Sequence, residues 1–168
     1  PIQLCLMTAQ IANGGYKIYP NIFMGDNKKN EQKDKFNQLF ENSANIKIVQ
    51  DAMFGSTNEV MGTSYRSRID DPIYQFAGKT GTSQVKRITE RERELDLKTF
   101  EIPYEERDHA LYVAFGPYKN PRYALSVVVE HGGNGSTTAA PMAKKLFKLI
   151  IDRHSIRESI KKDRYMDT

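Results

Sequence analysis

The residues of this 168-residue chain with the clearest chemical content are Lys79, Thr80, Gly81 and Thr82, within Ala77-Gly78-Lys79-Thr80-Gly81-Thr82-Ser83-Gln84-Val85. Acyl transfer through a serine needs a nucleophile, a base, donors for the oxyanion and a cation that orients a substrate carboxylate. A strand carrying this run supplies the last two. Lys79 brings positive charge, the hydroxyls of Thr80 and Thr82 can donate to a carboxylate, and the Thr82 backbone N–H can serve as an oxyanion donor. Gly81 removes a side chain that would bar approach. An open edge on such a strand also lets an extended peptide add alongside, held by its main chain. The plainer reading, an exposed lysine beside a strand threonine, explains the residue types but not the two flanking glycines, Gly78 and Gly81.

Positioning this run requires a strand, which the alternation predicts over 73–82. Two largely apolar runs follow, 110–115 and 123–129, joined by Gly116-Pro117-Tyr118-Lys119-Asn120-Pro121-Arg122 as in a hairpin. Their continuity calls for cover on both faces. Leu4, Met7 and Ile11 recur at helical spacing over 2–13, and Gly14-Gly15 supply a left-handed stop. Between 36 and 54, Phe36, Leu39 and Phe40, then Ile46, Val49 and Met53, fit one or two amphipathic helices, with Ser43 as a cap between them. A last helix is expected over 141–153, with Pro141 at its start and Met142, Leu146, Leu149 and Ile150 turned to the sheet. Met53 and Met142 read as core fillers. The segment 16–24 reads as extended and 25–35 as a polar loop, while 86–108, with Arg91-Glu92-Arg93-Glu94, reads as a solvated loop or exposed helix. The expected class is α+β, an antiparallel sheet packed between N-terminal and C-terminal helices, with 1–153 folded and 154–168 a polar tail.

Composition excludes several functions. Lys and Arg number 25 against 21 Asp and Glu, a net charge of +4, and the two signs are interspersed, which argues against a nucleic-acid partner. No apolar run nears the roughly 20 residues that span a bilayer. Cys5 is the sole cysteine, so no internal disulfide forms, and Leu4, Leu6 and Met7 around it suggest a buried thiol. His109, His131 and His154 lie too far apart for zinc-ligand spacing, and no metal or organic cofactor is expected. His131 reads as a loop residue leading into Gly132-Gly133-Asn134-Gly135, which could border a cleft; Asp108 and His109 read as structural contacts and Tyr118 as surface packing. Pro1-Ile2-Gln3-Leu4 already reads as a first helical turn, with no initiator methionine or targeting segment before it, as expected of a chain entered midway.

Several segments, in order, carry a resemblance: 1–4 through Ala12-Asn13-Gly14-Gly15, Gly62-Thr63, 77–85, and Arg107-Asp108-His109-Ala110 through Ala114-Phe115-Gly116-Pro117-Tyr118 with Asn120-Pro121. Val127-Val128-Val129-Glu130 before Gly132-Gly133 completes it. Together they resemble the C-terminal part of the transpeptidase domain of class B penicillin-binding proteins of the elongation type. The resemblance implies a peptidoglycan D,D-transpeptidase, in which a serine attacks the penultimate D-alanine carbonyl of a stem peptide, D-alanine leaves, and a neighbouring strand's amine resolves the acyl-enzyme. β-Lactams imitate the donor. By the same resemblance Lys79 is the lysine of the Lys-Thr-Gly box, Thr80 and Thr82 bind the carboxylate, the Thr82 N–H sits in the oxyanion hole, and Gly81 keeps the edge open.

The other two motifs of that family, Ser-x-x-Lys with the nucleophile and Ser-x-Asn, are expected upstream, so the nucleophilic serine is not in this chain and the chain alone is expected to be inactive. Ser159-Ile160-Lys161-Lys162 and Ser43-Ala44-Asn45 match formally but in the wrong order and setting. The resemblance also implies an inner-membrane protein with one N-terminal anchor and a periplasmic catalytic domain. Its partners would be peptidoglycan stem peptides, β-lactams, a glycan-polymerising membrane protein and other elongation-complex members. A β-lactamase or related serine hydrolase fits the same box and would turn over nitrocefin. A non-catalytic peptide-binding module would lack any Ser-x-x-Lys upstream.

Overall fold

The computed structural model describes residues 1–22, 37–40, 42–87, 90 and 97–166, with side chains described as far as His154. Helix α1 (Ile2–Ala12) stops at Gly14 and Gly15, whose φ values of 90° and 89° only glycine adopts easily, and the Gly15 N–H bonds back to the Gln10 carbonyl at 2.8 Å. Helix α2 (Ser43–Asn58) is a single helix. Its cap is Asn42, whose side chain accepts from the Ala44 N–H at 2.9 Å, so Ser43 is the first helical residue rather than a cap. Leu39 and Phe40 precede the helix, next to a bridge between Tyr16 and Gln38; Phe36, Phe23, Met24, the loop 25–35 and Arg91-Glu92-Arg93-Glu94 lie outside the described residues.

The strand bearing the lysine box, β1 (Ala77–Ser83), starts later than its alternation suggests. Asp71 accounts for the delay: its carboxylate accepts from the Ile73 N–H at 3.0 Å and its carbonyl from the Tyr74 N–H at 3.0 Å, drawing 71–74 into a turn. Strands β2 (His109–Gly116) and β3 (Tyr123–Val129) form the expected hairpin. The three-stranded antiparallel sheet has the order β1-β2-β3, with Lys79 opposite Val113 and Thr80 opposite Tyr112. No described strand pairs with the outer edge of β1.

A π-helical turn (Gly135–Ala139) leads into α3 (Ala140–Met166), which continues past Arg153. Helices α1 and α2 cover one face of the sheet and α3 the other, as the sequence predicts. The buried stripe of α3 is not the predicted one. Ala140, Ala143, Phe147 and Ile151 face the sheet, whereas Met142, Leu146 and Leu149 are 45%, 43% and 62% exposed. The physical reason is bulk on the other side: Phe76 and Tyr112 already fill that layer, so small residues let the helix approach, and Phe147 stacks on Phe76 with centroids 4.9 Å apart. Met53 is a core filler; Met142 is not. Cys5 is half-buried, its thiol donating to the Ala124 carbonyl at 3.4 Å.

Candidate active-site edge

Behind β1 sits a buried hydroxyl cluster. The Tyr112 hydroxyl bonds to Thr57 Oγ1 at 2.9 Å and to Ser64 Oγ at 3.0 Å, and Ser64 donates to the Ser56 carbonyl at 3.0 Å. Burial holds the Tyr112 phenol neutral by pushing its pKa up. Gly78 is required by this cluster, because a side chain there would collide with the Tyr112 ring and hydroxyl. Asn58, near the end of α2, donates to the Phe76 carbonyl at 2.9 Å just ahead of the strand. The strand that presents Lys79 is therefore anchored from behind.

In front, Lys79, Thr80, Gly81 and Thr82 come together around a cavity of about 410 Å³, completed by Thr63, Asn134 and Ser136. Lys79 is exposed; its ammonium donates to the Thr80 carbonyl at 2.9 Å and reaches Thr80 Oγ1 at 3.4 Å. No described carboxylate forms an ion pair with it. Hydroxyls continue from there: Thr80 Oγ1 lies 3.3 Å from Thr63 Oγ1, which lies 3.1 Å from Ser56 Oγ. A second, apolar groove of about 730 Å³ opens on the other side of Lys79, rimmed by Met7, Ile48, Val49 and Met61 with Val113 at its floor. Lys79 and Thr63 line both.

The far wall of the smaller cavity is the start of the C-terminal helix. Asn134 accepts from the Ser136 N–H at 2.8 Å and from its hydroxyl at 2.7 Å, capping the turn. Gly135 lets this turn touch β1, since a Cβ there would stand 2.6 Å from the Gly81 carbonyl oxygen. A helix N-terminus beside Lys79 adds partial positive charge to the cavity. An ammonium, threonine hydroxyls and a helix N-terminus around one open space suit a carboxylate.

Thr63, Asn134 and Ser136 are not among the site residues expected from sequence. Their signal was present in part: Asn134-Gly135-Ser136 is a cap followed by a glycine of close approach, hidden because Pro141 suggested a later helix start. His131 does not line the cavity; its backbone N–H donates to His109 Nδ1 at 2.9 Å, and Asp108 accepts from the Val85 N–H at 3.3 Å. Tyr118 packs on Phe54 at 4.3 Å and bonds to Asp51 and Lys47. Ser43 and Asn45 sit exposed in the first turn of α2, away from Lys79's cavity; the side chains of Ser159 and Lys162 lie outside those described.

Residues 1–148 match the model of the penicillin binding protein transpeptidase domain. The chain belongs to that family. Among its relatives within the family are class B proteins of the PBP2 type. Peptidoglycan D,D-transpeptidase MrdA of Salmonella typhimurium is 33% identical over 163 residues, covering 90% of this chain and 25% of that protein. A structure of Pseudomonas aeruginosa PBP2 in complex with WCK 5153 aligns with a TM-score of 0.64 at 33% identity, over 86% of this chain and 28% of that one. Helicobacter pylori PBP2 in its complex with MreC aligns with a TM-score of 0.71 at 26% identity, over 90% and 24%. The chain thus spans about a quarter of the length of these relatives. No helix among the described residues is long and apolar enough to cross a membrane.

Proposed function

We propose that this chain is the part of a class B peptidoglycan D,D-transpeptidase that holds the acyl donor, and that the nucleophilic serine and its lysine base come from elsewhere in the full-length protein. The observation that carries this reading is the convergence of Lys79, Thr80 and Thr82 with Ser136 and Asn134 on one cavity beside a strand edge that no described strand pairs. In it, a stem peptide lies along β1, its terminal carboxylate taken by the Lys79 ammonium and the Thr80 and Thr82 hydroxyls. The scissile carbonyl then falls near the Thr82 N–H, which donates to the oxyanion as the serine attacks. D-Alanine departs and an amine of a second stem peptide resolves the acyl-enzyme. A β-lactam, which carries a carboxylate near its reactive amide, occupies the same contacts.

By the same reading the full-length protein is anchored in the inner membrane with its catalytic domain in the periplasm, works with a glycan polymerase, and binds an MreC-type partner, as the Helicobacter pylori relative does. We also assign 1–153 to the transpeptidase domain and 154–168 to a tail dispensable for acylation. The test is covalent labelling with a fluorescent penicillin. The full-length protein is labelled, and the isolated 168-residue chain is not. An unlabelled full-length protein would refute the assignment, and a labelled isolated chain would place the nucleophile among these residues.

A further inference from the structure

Asn134 and Ser136 follow a turn at 131–133 whose backbone is bonded to an imidazole that the proposed chemistry does not use. His131 is the one non-glycine residue with positive φ, 54°, among the described residues. A histidine occupies that region only under constraint. The constraint is visible on both of its ends. Its backbone N–H donates to His109 Nδ1 at 2.9 Å, and its own Nδ1 lies 3.1 Å from the Arg107 carbonyl. The two rings meet edge to face at 4.9 Å.

These partners dictate the protonation of each ring. A carbonyl can only accept, so His131 Nδ1 carries a proton. An amide N–H can only donate, so His109 Nδ1 must be bare. Two further bonds continue the clamp: the Gly133 N–H donates to the Asp108 carbonyl at 2.8 Å, and Thr138 Oγ1 donates to the Gly132 carbonyl at 2.8 Å. The next residues are Asn134, Gly135 and Ser136, which form the wall of the cavity against Gly81. His109 itself stands opposite Ser83, at the end of the strand that carries Lys79. One side chain thus links the last register pair of β1 and β2 to the turn that positions the opposite wall.

We propose that His109, through its unprotonated Nδ1, is a positioning residue for the carboxylate cavity, fixing the 131–133 turn so that Asn134 and Ser136 face Lys79, Thr80 and Thr82. This rests on the reading of the cavity given above. Protonating Nδ1 turns the acceptor into a donor facing another donor, so the clamp opens when the ring becomes charged. On the elements packed against this ring, the titratable and charged groups among the described residues are His131 and Glu130 after β3, and Tyr104, Glu105, Glu106 and Arg107 before β2. Asp108 precedes it in the chain, and Lys86, past the end of β1, is held by Glu106 at 2.6 Å.

The experiment measures the second-order rate of acylation of the full-length protein by a fluorescent penicillin between about pH 8 and pH 5. His109→Ala should lower the rate about ten- to hundredfold at the upper end, as displaced binding groups do. His109→Asn places an amide oxygen where Nδ1 stands and does not titrate. It should keep most of the wild-type rate at high pH and lose part of the wild-type decline towards low pH. The proposal is overturned if His109→Ala matches wild type throughout, or if His109→Asn is as slow as His109→Ala. Should His109→Ala fail to fold, the asparagine variant decides alone, and a profile parallel to wild type overturns the proposal. A wild-type protein that is not labelled at any pH instead overturns the reading of the cavity, and the positioning role with it.

Discussion

On the α3 side of the sheet, Phe76, Tyr112, Ala114, Ala143 and Phe147 are completely shielded from solvent, whereas on the α1 and α2 side Met7, Ile48, Val49 and Met61 rim an open apolar groove. Strand β1 lies between these two environments. Register places Gly78, Thr80 and Thr82 on the face shared with Tyr112, and Ala77 and Lys79 on the face shared with Val113 and Phe115. The closed side fixes the strand and the open side leaves its lysine free of packing. A binding edge benefits from both, because rigid support reduces the cost of ordering the site on binding while the exposed lysine stays accessible to the ligand. On the proposed function, the elements that bring the serine cover the open side in the full-length protein.

Emptying the closed side has the largest expected effect on stability. Phe147→Ala should cost about 3–5 kcal/mol, and Met53→Ala, at the margin of the open groove, about 2, in denaturant unfolding of the full-length protein. Equal losses would mean that the two faces are packed alike. Lys79→Ala should do the reverse, lowering the penicillin acylation rate about a hundredfold with little change in the unfolding midpoint, because the side chain is exposed. Tyr112→Phe sharpens the contrast at smaller scale. It leaves the Thr57 and Ser64 hydroxyls without their shared partner and should cost about 1 kcal/mol, read from the same unfolding curves.

The smallest effect belongs to the exposed cluster on α2. Lys47 lies 2.7 Å from Asp51 and both bond to the Tyr118 hydroxyl, lowering the Asp51 pKa and raising that of Lys47. A lowered carboxylate stabilises the fold above its unfolded pKa and loses that contribution as pH falls through the folded one; a raised lysine contributes below its unfolded pKa and loses it as pH rises through the folded one. Thermal melts of Asp51→Asn and wild type should therefore differ only slightly at neutral pH, as exposed pairs do, and converge in acid. A difference that grows in acid would contradict this.

Much of the architecture was legible from residues whose physics is local. Gly14-Gly15 announces the end of α1, the 116–122 turn announces the hairpin, and the glycines around Lys79 mark a strand with close neighbours. What was hidden depends on partners distant in sequence. The outward turn of Met142, Leu146 and Leu149 follows from Phe76 and Tyr112 filling the opposite layer, which periodicity on the helix alone does not contain. Thr63 joins the cavity through a side-chain contact with Thr80, seventeen positions away. Asn134 and Ser136 join it because Gly135 allows backbone contact with Gly81.

A crystal structure of the full-length protein acylated by a penicillin reads directly where the carboxylate sits. The drug's carboxylate is expected within hydrogen-bond distance of the Thr80 and Thr82 hydroxyls, with the Lys79 ammonium beside it and the acyl oxygen at the Thr82 N–H. A carboxylate held elsewhere, with the cavity between β1 and Ser136 left to solvent, would contradict it.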